Sequence, residues 1–131
     1  MKRKLATHKQ RLEHQAMGLW KIACMKKWGN ICECCGKPAS TYHHFIERSR
    51  CTNLKYDVEN GVPLCGRYGN NCHYNIHFSH DTLVRYNLKK TIIDKRGPEW
   101  LAYITKQSKV KGLKTNVSWL EECIAKLEAV I

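Results

Sequence analysis

Long apolar runs are absent from this chain of 131 residues. No stretch approaches the ~18–20 apolar residues that a membrane-spanning helix needs, so the sequence predicts a protein without a membrane span. The start, Met1-Lys-Arg-Lys-Leu5, is not followed by the apolar segment that a secretory signal carries. We therefore expect an intracellular protein located in the cytoplasm.

Acidic side chains are also few, since 11 Asp and Glu stand against 23 Lys and Arg, for a formal net charge of +12. Residues 1–30 hold eight basic residues against one acidic residue, residues 85–114 hold nine against two, and residues 31–84 are neutral. This charge exceeds the magnitude of ~2–8 that solubility alone needs. A neutral centre between basic flanks favours a polyanion held from both sides. Nucleic acid is the predicted partner, and a generic solubilising charge is the alternative.

Proline and glycine are scarce in segments whose apolar residues recur every three or four positions, a spacing that predicts amphipathic helices. The first such segment runs from about Lys9 to Trp28, the second from Asp81 to Lys95, and a third opens at Pro98. Ser118-Trp-Leu-Glu121 matches a capping box at the start of a last helix.

A length of 131 residues predicts one domain over residues 1–131, and the chain contains no internal repeat and no low-complexity tract. Residues 1–30 form its basic N-terminal helix, and residues 81–131 form a helical C-terminal extension. Residues 31–80, which hold most of the cysteines and histidines and short strand-like runs such as residues 41–46, form its centre.

Eight cysteines stand in this chain without an export signal, which favours metal ligation over disulfides. Cys32 and Cys35, followed by glycine, form the tight C-x2-C knuckle that points two thiolates at one ion. Cys65 and Cys72 are a second pair with a wider, bulging loop between them. A tetrahedral zinc ion held by these four cysteines is the predicted outcome, with buried free thiols as the alternative. Cys34 lies between two of the ligands and is open as a replacement for one of them.

Four histidines have a spacing that suits metal-dependent chemistry. His43 and His44 are adjacent in a strand-like run, so their side chains point to opposite faces, and one can bind a metal while the other does something else. His73 and His77 are four residues apart, so on a helix they reach the same cation. Hydrolysis of a phosphodiester needs a cation and an activated water, for which a neutral imidazole is a suitable base. The alternative is a purely structural zinc module.

The order of these residues resembles that of the HNH nuclease family: a histidine pair on a strand, an asparagine in the connecting loop, and a His-x3-His pair on a short helix. The resemblance covers roughly residues 31–80 and includes the interleaved cysteine pairs, although the second pair is more widely spaced than the commoner C-x2-C form. It implies an α+β fold with a ββα-metal (His-Me finger) core, a four-cysteine zinc knuckle and flanking α-helices.

The resemblance also implies roles for single residues. His43 and His73 are ligands of a catalytic ion, and His77 is a third ligand or a phosphate contact. His44 is the general base, and Asn60 fixes the loop and the orientation of that base. Imidazole ligands accept zinc, nickel, manganese or magnesium with differing affinity, so the identity of the catalytic ion stays open.

Basic residues near this motif are the predicted DNA contacts. Arg48 and Arg50 follow the histidine pair and match phosphate in bidentate geometry, with exposed surface charge as the alternative. The basic flanks are expected to supply most of the affinity, through residues 2–4 (Lys2, Arg3 and Lys4) on one side and Lys89, Lys90 and Arg96 on the other.

The resemblance therefore implies a metal-dependent HNH endonuclease of phage or bacterial type that nicks or cuts DNA and leaves 5′-phosphate and 3′-hydroxyl ends. Tyr86–Leu101 is similar to the segment after the motif in lambdoid phage NinG/Rap-type recombination nucleases, so a junction-specific nuclease is an alternative. A non-catalytic zinc-finger module that binds nucleic acid is another. No base-reading element is recognisable, which predicts weak sequence preference.

Overall fold

The computed structural model describes residues 4–131, and the predicted contacts Lys2 and Arg3 lie outside the described residues. Over the described range the chain is a mixed α+β structure with five α-helices and one two-stranded sheet. The helices are α1 (His8–Trp28), α2 (Cys72–Phe78), α3 (Thr82–Arg96), α4 (Pro98–Ser108) and α5 (Val117–Val130). The strands are β1 (Thr41–His44) and β2 (Gly61–Leu64), and two short 3-10 helices, Thr52–Leu54 and Val58–Asn60, lie between them. None of the described helices is long and apolar enough to cross a membrane.

Helix α1 has the bounds that its apolar spacing predicts to within one residue. A capping box between Thr7 and Gln10 starts it, since each side chain accepts a hydrogen bond from the other residue's backbone N–H. Gly29 ends it with a positive φ of 75°, which favours glycine. The buried positions recur every three or four residues and are Ala16, Trp20, Ala23 and Cys24.

The two strands pair antiparallel, with His43 opposite Val62 and His44 opposite Gly61. All four residues of β2 are buried: α1 packs against this strand, and Val62 and Leu64 pack with residues of α2, α3 and α4. A Cβ atom on Gly61 would overlap the Cys24 thiol and come within 3.1 Å of the Trp20 ring. Glycine at this position therefore lets the Cys24 and Trp20 side chains of α1 pack directly against the backbone of β2.

Two clusters of buried residues hold these elements together. One joins α1 to α5 and includes Trp20 and Leu120. The other joins the sheet to α2, α3 and α4 and includes Leu64, Ile92 and Trp100. The hairpin lies between the two clusters, so its strands are held from both sides.

The last three helices follow their sequence patterns, with one correction. The Asp81 side chain accepts a hydrogen bond from the Leu83 N–H and caps α3, and α4 opens at Pro98 as predicted. The predicted capping box at Ser118 is wrong, because Asn116 caps α5 by accepting from the Trp119 N–H, and Ser118 lies inside the first turn. Both residues offer a side-chain oxygen at a suitable spacing, so local sequence did not distinguish them.

Candidate functional site

Four cysteine sulfurs converge at the end of the hairpin. The Sγ atoms of Cys32, Cys35, Cys65 and Cys72 all lie within 4.8 Å of one another. The Cys35 and Cys65 sulfurs are 3.5 Å apart. Sulfurs arranged tetrahedrally at ~2.3 Å from a zinc ion are about 3.8 Å from each other, so this cluster has the right size for zinc. The four cysteines can hold a metal such as zinc, as the sequence predicts.

Backbone geometry explains why these four residues meet. Gly36 takes a positive φ of 79°, and its N–H donates to the Cys32 carbonyl, which closes the first knuckle. In the second loop, a Cβ on Gly69 would lie 2.9 Å from the Cys65 Cβ, so the loop folds tightly over its first ligand. The Cys72 N–H then donates to the Cys65 sulfur at 3.4 Å as α2 begins. The wider spacing of this pair is accommodated by the bulge that the sequence predicts.

The structure separates Cys34 from the ligands. Its sulfur is 3.6 Å from the Leu88 carbonyl oxygen, and burial raises the pKa of its thiol to about 12. For Cys35, burial opposes ionisation, but hydrogen bonds from the Lys37 backbone and from the thiols of Cys65, Cys32 and Cys72 lower the pKa to about 6. The thiolate is the form that binds metal. Cys35, together with Cys32, is therefore the residue of this knuckle that can hold a metal, and Cys34 packs against α3.

Three imidazole side chains lie close together beside α2. The ring nitrogens of His43, His73 and His77 offer one atom each within 4.8 Å of one another. The ring centroids are 4.5 Å apart for His43 and His77 and 4.9 Å apart for His73 and His77. His43 comes from β1 and is buried, whereas the other two lie one helical turn apart on α2. We call these three residues the histidine cluster.

Two members of the histidine cluster, His43 and His73, have environments that favour the neutral form, which binds cations. Burial, followed by the neighbouring His77 and His73, lowers the pKa of His43 to about 3. Burial and His77 also lower the pKa of His73. The Lys89 ammonium contributes to the low pKa of His43, which places a basic residue of α3 near the cluster. Neutral imidazole nitrogens suit zinc, nickel and related ions.

His44 has a different environment from its neighbour in β1. Its ring stacks on Trp20 with centroids 4.1 Å apart and an interplanar angle of 9°. Its Nε2 is 2.9 Å from the Lys55 carbonyl oxygen. A carbonyl oxygen only accepts hydrogen bonds, so Nε2 carries the proton and Nδ1 has the free lone pair. Burial lowers the pKa of His44 to about 4, so the ring is neutral at physiological pH and able to accept a proton at Nδ1.

Asn60 is buried, and its side chain holds the segment that follows β1 through hydrogen bonds. Its Oδ1 accepts from the Ile46 N–H at 2.8 Å, and its Nδ2 donates to the carbonyls of Ile46 and Leu54. Its own carbonyl accepts from the Phe45 N–H at 2.9 Å. The side chain is 0% exposed, so Asn60 positions the loop beside His44 and does not itself reach solvent.

A cleft of about 510 Å³ joins the histidine cluster to His44, between α1, β1 and α2. Two basic side chains, Lys21 and Arg48, line it. Sequence analysis missed Lys21 and Trp20, which line the cleft from α1. No local signal marks them, because their place in the site depends on how α1 packs against the hairpin.

The predicted DNA contacts are unequally placed. Arg48 and Arg50 are exposed, and Arg50 pairs with Glu47 at 3.8 Å. Lys89 and Lys90 are exposed on α3. These four side chains are accessible to a phosphate, but Arg48 alone among them lines the cleft.

Arg96 is a correction, because the structure buries its side chain to 3% exposure. Its guanidinium forms an ion pair with Glu33 and donates to the carbonyls of Glu59 and Gly61. Its plane also lies 3.6 Å from the centroid of the Trp28 ring. With its donors engaged inside the protein, Arg96 is unavailable to a phosphate and instead ties the Cys32–Cys35 knuckle to β2 and α1.

Comparisons of this chain with protein-family models, with curated proteins and with solved structures find no match. What the molecule does has to be inferred from the arrangement of its own residues. Two features of that arrangement bear on chemistry: the histidine cluster and, in the same cleft, a separately held imidazole.

Proposed function

We propose that this chain is a metal-dependent HNH endonuclease that hydrolyses the phosphodiester bonds of DNA. The observation that carries the proposal is the presence of His44 beside the histidine cluster in one open cleft. A purely structural metal module needs ligands but has no use for a fourth, neutral imidazole with a free lone pair. The cysteine cluster can already hold a structural metal ion elsewhere.

The proposed catalytic core consists of β1, β2 and α2, in that order along the chain, as a ββα-metal unit. The hairpin supplies His43 and His44, and the helix supplies His73 and His77. The zinc knuckle connects the two parts, since Cys65 follows β2 directly and Cys72 is the first residue of α2. A zinc ion there would fix α2 relative to the hairpin. It would thereby fix His73 and His77 relative to His43.

In this mechanism the histidine cluster holds a divalent cation (magnesium, manganese, nickel or zinc), which when bound stabilises the charge that develops on the phosphate and the leaving oxygen. The Nδ1 atom of His44 takes the proton from the attacking water. As the ring becomes positively charged, its Nε2–H donates to the Lys55 carbonyl, and this hydrogen bond favours the protonated ring. Asn60 keeps the loop that follows β1 in register with this site.

DNA is the proposed substrate because two basic side chains line the cleft against one acidic side chain, Glu47, and further basic residues lie around it. Lys21 and Arg48 line the cleft, and Lys89 lies close enough to affect His43. These side chains suit the backbone phosphates on either side of the reacting bond, and phosphate contacts position a duplex without reading its sequence. We therefore expect cleavage at many unrelated sites.

The test is incubation of supercoiled plasmid with the purified protein and each of magnesium, manganese, nickel and zinc, with and without chelator. The proposal expects nicked or linear DNA with at least one metal, and loss of the product with chelator. His43→Ala should remove the activity, whereas His80→Ala, which replaces an exposed histidine outside the cluster, should keep it. DNA binding without cleavage under every metal would instead indicate a non-catalytic zinc-finger module.

The same preparation distinguishes a general nuclease from a junction-specific one. Initial rates on a four-way junction and on a linear duplex of the same sequence are compared with the most active metal. Equal rates indicate a general nuclease, and faster cutting of the junction indicates an enzyme of branched DNA.

A further inference from the structure

Two exposed aromatic residues lie on α2 beside the histidine cluster. Tyr74 and Phe78 are 54% and 63% exposed, and their ring centroids are 5.4 Å apart. Each directly follows a histidine of the cluster, and the Phe78 ring is 5.5 Å from the His77 ring. Large aromatic side chains that stay in contact with each other but not with the core mark a binding surface more often than isolated exposed residues do. We call this pair the aromatic platform.

The stretch of sequence that carries the aromatic platform is rich in basic residues. Between residues 66 and 90 the only acidic residue is Asp81, whereas four basic residues are present. They are Arg67, Arg85, Lys89 and Lys90. Ring faces combined with basic side chains are complementary to a nucleic-acid strand, which offers both π-faces and phosphates.

We infer that the aromatic platform stacks unpaired nucleobases of a DNA strand whose phosphate lies at the histidine cluster. The inference rests on the proposed nuclease function and names its substrate class: DNA with unpaired nucleotides next to the bond that is cut. His77 and Phe78 are adjacent on the helix, so a base that flanks a phosphate held by the cluster lies within reach of the Phe78 ring.

Base pairing decides which DNA forms can use the aromatic platform. In a duplex the neighbouring base pairs cover both faces of each base, and exposing a face costs free energy. Single strands, flaps, mismatches and junctions offer uncovered bases without that cost. Stacking is also tolerant of sequence, because every base has a π-face. The aromatic platform therefore selects DNA by structure and not by sequence.

The chain provides a matched control for stacking. Leu83 and Val84 at the start of α3 are 63% and 37% exposed, and α3 packs against α2. They are apolar but have no ring faces. A surface that acts by hydrophobic contact with another protein would depend on them, whereas base stacking would not.

The experiment measures fluorescence anisotropy of a labelled single strand of about 12 nucleotides, a length within the ~4–16 nucleotides that such surfaces contact, and of its duplex. No divalent metal is added, so that neither DNA is cut. The double variant Tyr74→Leu/Phe78→Leu is expected to bind the single strand about fivefold or more weakly, with the duplex affinity changed by less than about twofold. Leu83→Ala/Val84→Ala should match the wild type on both. Equal losses on both DNA forms, no loss at all, or a similar loss in the control variant would overturn the inference.

A sedimentation measurement checks the competing use of this surface. If the wild type is a dimer that Tyr74→Leu/Phe78→Leu converts to a monomer, the aromatic platform is a contact between two copies of the chain and the inference is wrong. Different results would overturn the inference and the nuclease proposal. Cleavage with an unchanged flap-to-duplex rate ratio in the variant overturns the aromatic platform alone, whereas single-strand preference without cleavage under any metal overturns the nuclease alone.

Discussion

The indole of Trp20 lies flat against the imidazole of His44, with centroids 4.1 Å apart and an interplanar angle of 9°. Trp20 is itself immobilised, since it is 0% exposed and its Nε1–H donates to the Asp57 carbonyl at 2.8 Å. One face of the His44 ring is covered by this indole, and one edge is tied to Lys55. The orientation of the proposed base is thus set by α1, a helix outside the proposed catalytic core.

We expect Trp20→Phe to keep most of the cleavage rate and Trp20→Leu to lower kcat by about 10- to 100-fold, because a displaced base loses its alignment with the attacked water. Affinity for the catalytic metal should stay near the wild-type value in both variants. Proton NMR provides a second measurement, since ring-current shifts of the His44 protons require an aromatic neighbour. Trp119→Leu, at a partly buried residue that packs against the same cluster but lies outside the cleft, is the control. Equal kcat for the Phe and Leu variants would mean that stacking on residue 20 does not position the base.

His44→Ala is expected to lower the cleavage rate by about 100- to 10,000-fold, the usual contribution of a general base. Binding of a divalent ion to the histidine cluster, measured by calorimetry, should change little, because His44 is not among its nitrogens. His80→Ala is the matched exposed control. A His44→Ala protein that cuts DNA at the wild-type rate would remove His44 from the mechanism.

One zinc ion per chain should be present in protein purified without added metal, as measured by elemental analysis. Cys65→Ser should lose that zinc and much of the folded population, since the cluster ties β2 to α2. Cys34→Ser should retain the zinc, because its sulfur faces the Leu88 carbonyl. Zinc loss from the Cys34 variant, or full zinc content in the Cys65 variant, would contradict the ligand assignment.

Arg96→Gln is expected to destabilise the protein and leave the salt dependence of DNA binding unchanged. Breaking a buried ion pair leaves its partner uncompensated, here Glu33, at a cost of about 3–5 kcal/mol in the free energy of unfolding. Chemical denaturation measures the cost, and Lys90→Gln, an exposed charge on the same helix, is the control. A stable Arg96→Gln protein with a flatter salt slope would restore Arg96 as a phosphate contact.

Lys89→Ala/Lys90→Ala should weaken duplex binding and flatten its salt dependence. Each lost phosphate contact removes about 0.9 from the slope of log affinity against log salt, so two lost contacts remove about 1.8. Lys126→Ala, on α5 beside a separate cavity, should leave the slope unchanged. An unaltered slope in the double variant would show that these two lysines do not touch phosphate.

The local features of the fold were predictable because they depend on short stretches of sequence. The apolar spacing of α1, the glycines that end helices and the Cys32–Cys35 knuckle all involve neighbouring residues, and each lies where its pattern predicts. The start of α5 was wrong by two residues, because Asn116 and Ser118 have equivalent capping groups. The spacing of His73 and His77 predicted a shared face of a helix, and α2 provides it.

Contacts between segments that are distant in the sequence could not be predicted from it. These contacts determine the burial and the partners of each site residue. Sequence alone determined which residues can ligate metal and the overall excess of positive charge. Tertiary structure decided that Trp20 and Lys21 belong to the cleft and that Arg96 does not, since both outcomes follow from how α1 and α3 pack against the hairpin. The sequence shows that a helical arginine is charged, but it does not show whether the side chain faces solvent or a buried glutamate. Burial, which fixes its partner and its energy, exists only once the chain has folded.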